Sequence, residues 1–188
     1  WGGLDHKRAL DQLEVLFDLG RWDELVDIAK DIEAWDREEG GGPMRSFAEL
    51  YRAMVLTRRG EIRAAVLLEE ELLRRLRTLA RAEFLAPGLA FGAFLEHVRG
   101  HAGTALELAE EWERETAPHD TYRLRTLPDV ARVLAATGHV DRLERLLDVE
   151  DATRNVRSRA ALDTARAIAA EGRGEHAPPR RDVAPPLG

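Results

Sequence analysis

Leu19-Gly20-Arg21-Trp22-Asp23-Glu24-Leu25 is the stretch whose reading decides the fold. A helix ending at Leu19 leaves its last carbonyls without partners. Glycine just past the end adopts the left-handed conformation that lets the following amides cap them. The chain then reverses, and Asp23 and Glu24 fall in the first turn of a second helix, where negative charge is favoured. The same arrangement recurs at Gly60, Gly100, Gly138 and Gly172, so the five glycines are spaced 40, 40, 38 and 34 residues apart. Two places after the first four stand Trp22, Ile62, Ala102 and Val140, and five places after stand Leu25, Ala65, Ala105 and Leu143. Seven places before the glycines stand Leu13, Ala53, Ala93, Ala131 and Ala165. A small residue there lets the second helix come close, and the apolar residue after the turn packs into the space. Each period therefore predicts a helix, a tight turn and an antiparallel helix, and the recurrence predicts an array of stacked pairs.

Composition agrees with an all-α chain. The 188 residues are 44% hydrophobic and only 6% aromatic, with leucine, alanine, glutamate and arginine prominent, all good helix formers. The absence of cysteine excludes disulfides, thiolate chemistry and cysteine-ligated zinc, and fits a reducing cytoplasm. A net charge of -7 argues against a general nucleic-acid or anionic-membrane binder. No apolar run approaches the roughly 20 residues of a membrane span, and no stretch reads as a signal peptide. The chain opens at Trp1 and closes in a loose, proline-rich stretch, which reads as a piece of something longer.

Taken in order, the array has four pairs and a capping helix. Unit one, about 5–39, has inner stripes Leu10, Leu13, Leu16, Phe17 and Leu25, Ile28, Ala29, Ile32 at helical spacing. The run Gly40-Gly41-Gly42-Pro43 breaks the helix and reads as a linker, since a phosphate-cradling loop needs a preceding strand and a following lysine. Unit two, about 44–81, is expected to start with Ser46 as N-cap and Glu49 in capping-box spacing. Its second helix carries Glu70 with Arg74 and Glu71 with Arg75 four apart, the spacing of surface ion pairs. Unit three, about 86–116, is expected to open at Pro87, where proline suits a first helical turn. Unit four, about 120–149, has a short second helix, and Pro128 is expected to bend or delay its first. An alanine-rich helix at about 153–171 would cap the stack, and residues 172–188 read as a flexible tail.

This unit resembles the tetratricopeptide repeat. The small residues match at Ala53, Ala93, Ala131 and Ala165, the residue after the turn at Trp22, Ile62 and Val140, and the alanine of the second helix at Ala65 and Ala105. The period is nearer 40 than 34, and Leu13 stands where a small residue is expected. The resemblance implies a right-handed superhelix of antiparallel pairs, a TPR-like α-solenoid of about nine helices, whose concave face is lined by the first helix of each pair. The phrasing from Leu16 to Leu25 also looks like the C-terminal helical regions of bacterial AAA-type ATPase regulators and class III nucleotide cyclases. That likeness implies a regulatory region of a larger signalling protein.

Groove positions carried over from the family are Asp11, Glu14 and Asp18 in unit one and Tyr51, Met54 and Arg58 in unit two. In unit three they are Phe91, Phe94 and His97, and in unit four Asp129 and Arg132. Aromatic and arginine side chains dominate contact energies, so this set suits a peptide or helix, although Phe91 and Phe94 read first as core between units, because large apolar residues are usually buried. The asparagine-and-lysine clamp of some family members has no counterpart, because the only asparagine is Asn155 and the only lysines are Lys7 and Lys30.

Catalytic and metal constellations are not apparent. His97 and His101 straddle the Gly100 turn and do not share a helix face, so zinc would need a further ligand such as Glu96. Ser46 and Ser158 lack a nearby histidine or glycine elbow. Trp22, Trp35 and Trp112 read as anchors of turns and unit junctions. The sequence thus predicts a cytoplasmic, non-catalytic scaffold without cofactor or metal, binding a protein or another part of its parent chain. Two other readings stay open. One is a small-molecule sensor or tailoring enzyme with a pocket closed between units two and three, around Tyr51, Phe91 and Phe94. The other is an RNA-binding array using Arg74, Arg77 and Arg81, which the net charge disfavours.

Overall fold

The structure, a computed structural model, describes residues 2–39, 43–117, 120–148 and 156–174. Among these it contains nine helices and no strand: α1 Gly2–Asp18, α2 Trp22–Glu39, α3 Pro43–Arg58, α4 Ile62–Leu79, α5 Ala82–Val98, α6 Ala102–Thr116, α7 Asp120–Ala136, α8 Val140–Leu147 and α9 Val156–Gly172. They pack as the antiparallel pairs α1–α2, α3–α4, α5–α6 and α7–α8, with α9 against α7 and α8. Each first helix also packs on the next one, α1 on α3, α3 on α5, α5 on α7 and α7 on α9. Among the described residues the second helices stand further apart, and side-chain ion pairs span the gaps, Arg77 of α4 to Glu111 of α6 and Arg142 of α8 to Glu113 of α6. The odd-numbered helices therefore form a continuous inner layer and the even-numbered ones a splayed outer layer, the arrangement of an all-α solenoid.

The turns repeat at atomic detail. Gly20, Gly60, Gly100 and Gly138 have φ between +71° and +84°. In each, the glycine amide donates to the carbonyl three residues back, and the following amide to the one five residues back. Arg21 reaches Leu16 O at 2.9 Å, Glu61 reaches Leu56 O at 2.9 Å, His101 reaches Glu96 O at 2.9 Å and His139 reaches Leu134 O at 2.7 Å. This paired capping satisfies the orphan carbonyls of the preceding helix.

The fifth turn departs from the expectation. Gly172 is the last residue of α9, and the left-handed residue is Gly174, at φ +76°. A Cβ on Gly172 would lie 3.2 Å from Ala135 Cβ and 3.3 Å from Val140 Cγ2. The glycine at 172 thus serves close packing on unit four, and the turn comes two residues later.

Helix starts depart too. Pro43 opens α3, where its missing N–H costs nothing, so Ser46 is buried inside the helix and does not cap it. The Glu49 carboxylate instead pairs with Arg45, at 2.7 Å, and with Arg75. The bend between α4 and α5 comes at Ala80 and Arg81, with Ala80 in the left-handed region at φ 49°, and α5 starts at Ala82. Pro87 therefore lies inside α5, and Pro128 lies inside α7 without shortening it. Gly88 and Gly92 explain how the bend can be so tight. A Cβ on Gly88 would meet Leu76 Cδ1 at 2.4 Å, and one on Gly92 would meet Leu73 Cδ1 at 3.1 Å, so α4 and α5 approach where side chains are missing.

The core runs the length of the array and includes the small residues behind the turns, Ala53, Ala93 and Ala131, all fully buried. Trp112 Nε1 donates to Thr126 Oγ1 at 2.7 Å, tying α6 to α7, and Trp22 Nε1 donates to Phe17 O across the first turn. No described helix is long and apolar enough to cross a membrane. The expected glycine linker before Pro43 lies outside the described residues, as does the expected flexible tail apart from its first residues.

Candidate partner-binding groove

The inner layer encloses a groove of about 840 Å³. Its lining comes from α1, α3, α5, α7 and α9, plus Arg81 at the α4–α5 bend. Helical periodicity explains which side chains reach it. On α3 they are Met44, Phe47, Tyr51, Met54 and Arg58, steps of three and four that follow one face. On α1 the same steps give Asp11, Glu14 and Asp18, with Phe17 beside them. Phe84, Pro87 and Ala90 come from α5, Tyr122, Arg125 and Asp129 from α7, and Arg157, Ala160, Ala161 and Thr164 from α9.

Rings make the floor. Phe47 meets Tyr51 edge-on at 4.9 Å and Phe84 at 5.4 Å, and Tyr51 meets Phe17 at 5.8 Å. The Arg58 guanidinium lies 4.7 Å from the Phe17 centroid and 5.4 Å from that of Phe94, and the Arg81 guanidinium 5.2 Å from that of Phe84. Such placements attract a cation to the negative face of the ring.

Charges line the walls, and they cross the groove. Arg157 on α9 pairs with two carboxylates of α1, Glu14 at 2.5 Å and Asp18 at 2.7 Å. Arg125 on α7 reaches the same Glu14 at 3.2 Å. Arg58 on α3 holds Asp129 on α7 at 2.7 Å. Among the described residues α1 does not pack on α7 or α9, so side chains alone bridge that gap. Burial pushes the Asp18 carboxyl above its ordinary value, and Arg157 only partly pulls it back. Burial likewise pushes the Tyr51 hydroxyl up, with the Glu14 and Asp18 charges adding to the effect.

Of the positions carried over from the repeat family, Asp11, Glu14, Asp18, Tyr51, Met54, Arg58 and Asp129 line the groove. Phe91 is fully buried in the core, and Phe94 lies behind the lining, under Arg58. His97 is half-buried and Arg132 exposed, both off the groove. The early start of α5 accounts for part of this, because its groove stripe begins at Glu83 and Phe84 and ends at Ala90. Phe47, Phe84, Tyr122, Arg125 and Arg157 were not singled out from the sequence. The one available signal was the spacing of Phe47 and Tyr51, four apart.

The remaining candidates are placed as follows. His101 Nδ1 lies 2.6 Å from Glu96, whose other oxygen pairs with Arg99. Among the described residues no three histidine or acidic groups are set to hold a metal. Arg74 pairs with Glu71 at 2.6 Å, Arg77 with Glu111 at 2.6 Å, and Arg81 with Glu83, so the three arginines considered for RNA each face a carboxylate.

Among solved structures, two crystal structures of a protein described as a Podosopora anserina kinesin light chain with nearly identical TPR-like repeats, one of them a point variant, are similar to this chain. Each is 20% identical, with 90% of this chain and 87% of the other covered, at TM-scores of 0.61 and 0.60. No protein-family model matches the sequence, and no curated protein matches it. The class is thus a TPR-like all-α helical repeat, and the likeness, at this identity, is one of fold.

Proposed function

We propose that this chain is a non-catalytic scaffold that docks a segment of another protein, or of its own parent chain, in the groove of its inner layer. The observation that carries the reading is the groove itself: an 840 Å³ channel contributed by all five first helices, floored by rings and walled by arginines and carboxylates. Aromatic and arginine side chains are the residues that concentrate contact energy when desolvated. A photo-crosslinking residue at Met54 tests it in the source cells, with one at Leu67, 85% exposed on α4, as the control outside the groove. The reading expects a product from position 54 that is absent from position 67 and lost when Phe84 is changed to Asp. Equal products from both positions overturn it.

The setting we propose is a regulatory region of a larger bacterial signalling protein, acting in the cytoplasm. The Leu16–Leu25 stretch, with its likeness to regions of AAA-type regulators and nucleotide cyclases, supports that setting. A second reading rests on the size of the groove, which falls within the range of small-molecule sites. A small molecule retained by the purified chain in native mass spectrometry, and lost in Tyr51→Ala, would favour a sensor over a scaffold.

A further inference from the structure

We propose that the segment received by the groove is a basic, apolar one, and that Arg157 sits in its place when the groove is empty. The proposal rests on the docking reading above and adds the chemistry of the occupant.

Four observations support it. The groove is lined by five carboxylates, Asp11, Glu14, Asp18, Glu83 and Asp129, against four arginines, Arg58, Arg81, Arg125 and Arg157. Asp11 is the surplus one, with no ion-pair partner among the described residues. Asp11, Glu14 and Asp18 share one face of α1, and Arg157 reaches that face from α9 by side chain alone. Tyr51 is only 5% exposed and lines the groove beside Glu14 and Asp18, yet its hydroxyl has no hydrogen bond among the described residues. A hydroxyl in that position accepts from an arginine or lysine of an incoming chain.

The rings point the same way. Arg58 and Arg81 already lie on Phe17 and Phe84, so this floor takes guanidinium groups as well as apolar ones. The chain's net charge of -7 would also draw a cationic segment toward it. Arg157 then acts as an internal competitor. A partner's arginine inserted between Glu14, Asp18 and Tyr51 displaces it, exchanging one ion pair for another of similar strength, while the flanking apolar residues cover the rings.

Calorimetry with a short synthetic peptide of leucine, tyrosine and arginine, and with its counterpart carrying glutamate for arginine, tests this on the intact chain. The arginine peptide is expected to bind more tightly. Its affinity is expected to fall at least about tenfold between about 0.1 and about 1 M salt, as the Debye length shrinks from about 10 to about 3 Å. Glu14→Gln and Asp18→Asn are expected to weaken it, and Arg157→Gln to strengthen it by removing the competitor. If Arg157→Gln melts with the parent's cooperativity yet binds no more tightly, the stand-in role is overturned. If that variant does not fold, Tyr51→Phe and the salt series carry the test, and an affinity insensitive to both overturns the proposal. Tighter binding of the glutamate peptide overturns the basic occupant and leaves the docking reading standing. Binding of neither peptide overturns both.

Discussion

Arg58 Nη2 donates to both carboxylate oxygens of Asp129, at 2.7 and 2.9 Å, joining helices α3 and α7 across 71 positions of sequence. The same guanidinium lies over Phe17 of α1 and Phe94 of α5. One side chain of α3 thus reaches three of the other four groove helices. A charge pair in this partly buried setting is worth more than a surface pair, and losing one partner leaves the other stranded. Asp129→Asn is expected to lower the free energy of unfolding by about 1.5–3 kcal/mol in urea titrations. The double replacement Arg58→Met with Asp129→Leu removes both charges and is expected to recover a large part of that loss. A double variant as unstable as the sum of its single changes would show that the pair is not coupled.

Asp18 gives a pH signature. Its carboxyl is held above the ordinary value near 3.8, first by burial, while Arg157 and Arg125 pull it down and Glu14 adds to the rise. A folded value above the unfolded one means that the folded state holds the proton more tightly. The corresponding stability is fully present below the ordinary value and is lost as pH rises through the folded value. At neutral pH the charge is a net cost, so Asp18→Asn is expected to raise the thermal midpoint there. The difference from the parent should shrink as pH falls toward the ordinary aspartate range. A lower midpoint for the variant at neutral pH refutes this. Higher stability with weaker arginine-peptide binding would mark Asp18 as a residue kept for binding.

The turns make opposite predictions at Gly60 and Ala80. A Cβ on Gly60 would meet nothing within 4 Å, so Gly60→Ala isolates the conformational cost of φ +78°. That cost is expected to be about 1–2 kcal/mol. Ala80 already bears such a cost at φ 49°. Ala80→Gly is therefore expected to be neutral to stabilising, by up to about 1 kcal/mol, because glycine relieves the left-handed strain but loosens the unfolded chain. Chemical denaturation of both variants checks the pair, and destabilisation by Ala80→Gly would contradict the turn geometry.

Ala93 tests the packing behind a turn. It is fully buried on α5, seven residues before Gly100. Ala93→Leu adds bulk where helices meet closely and is expected to cost about 1–3 kcal/mol, read as a lower melting temperature. An unchanged melt would mean that the junction has room the structure does not show.

The repeat was legible because its determinants are local. Gly20, Gly60, Gly100 and Gly138 take up the left-handed conformation that the turn demands, and the short helix Val140–Leu147 falls where periodicity puts it. The misreadings share one cause. Pro87, Ser46 and Gly172 each have a local preference, for a helix start, a cap and a turn, that their neighbours override. Pro87 sits inside α5 because the bend at Ala80 and Arg81 precedes it, Ser46 sits inside α3 because Pro43 opens that helix, and Gly172 packs on Ala135 and Val140. Propensity is a weak prior against such packing.

Sequence alone therefore determined the helices and the antiparallel pairs, because periodicity and glycine turns act over a few residues, while the inner position of each first helix was implied by the family resemblance. Which side chains face one another across the groove was decided only in three dimensions. Glu14 meets Arg125 and Arg157, 111 and 143 positions away, because the successive packing of α1, α3, α5, α7 and α9 leaves α1 facing α7 and α9 across the groove. No short window of sequence records so distant a pairing.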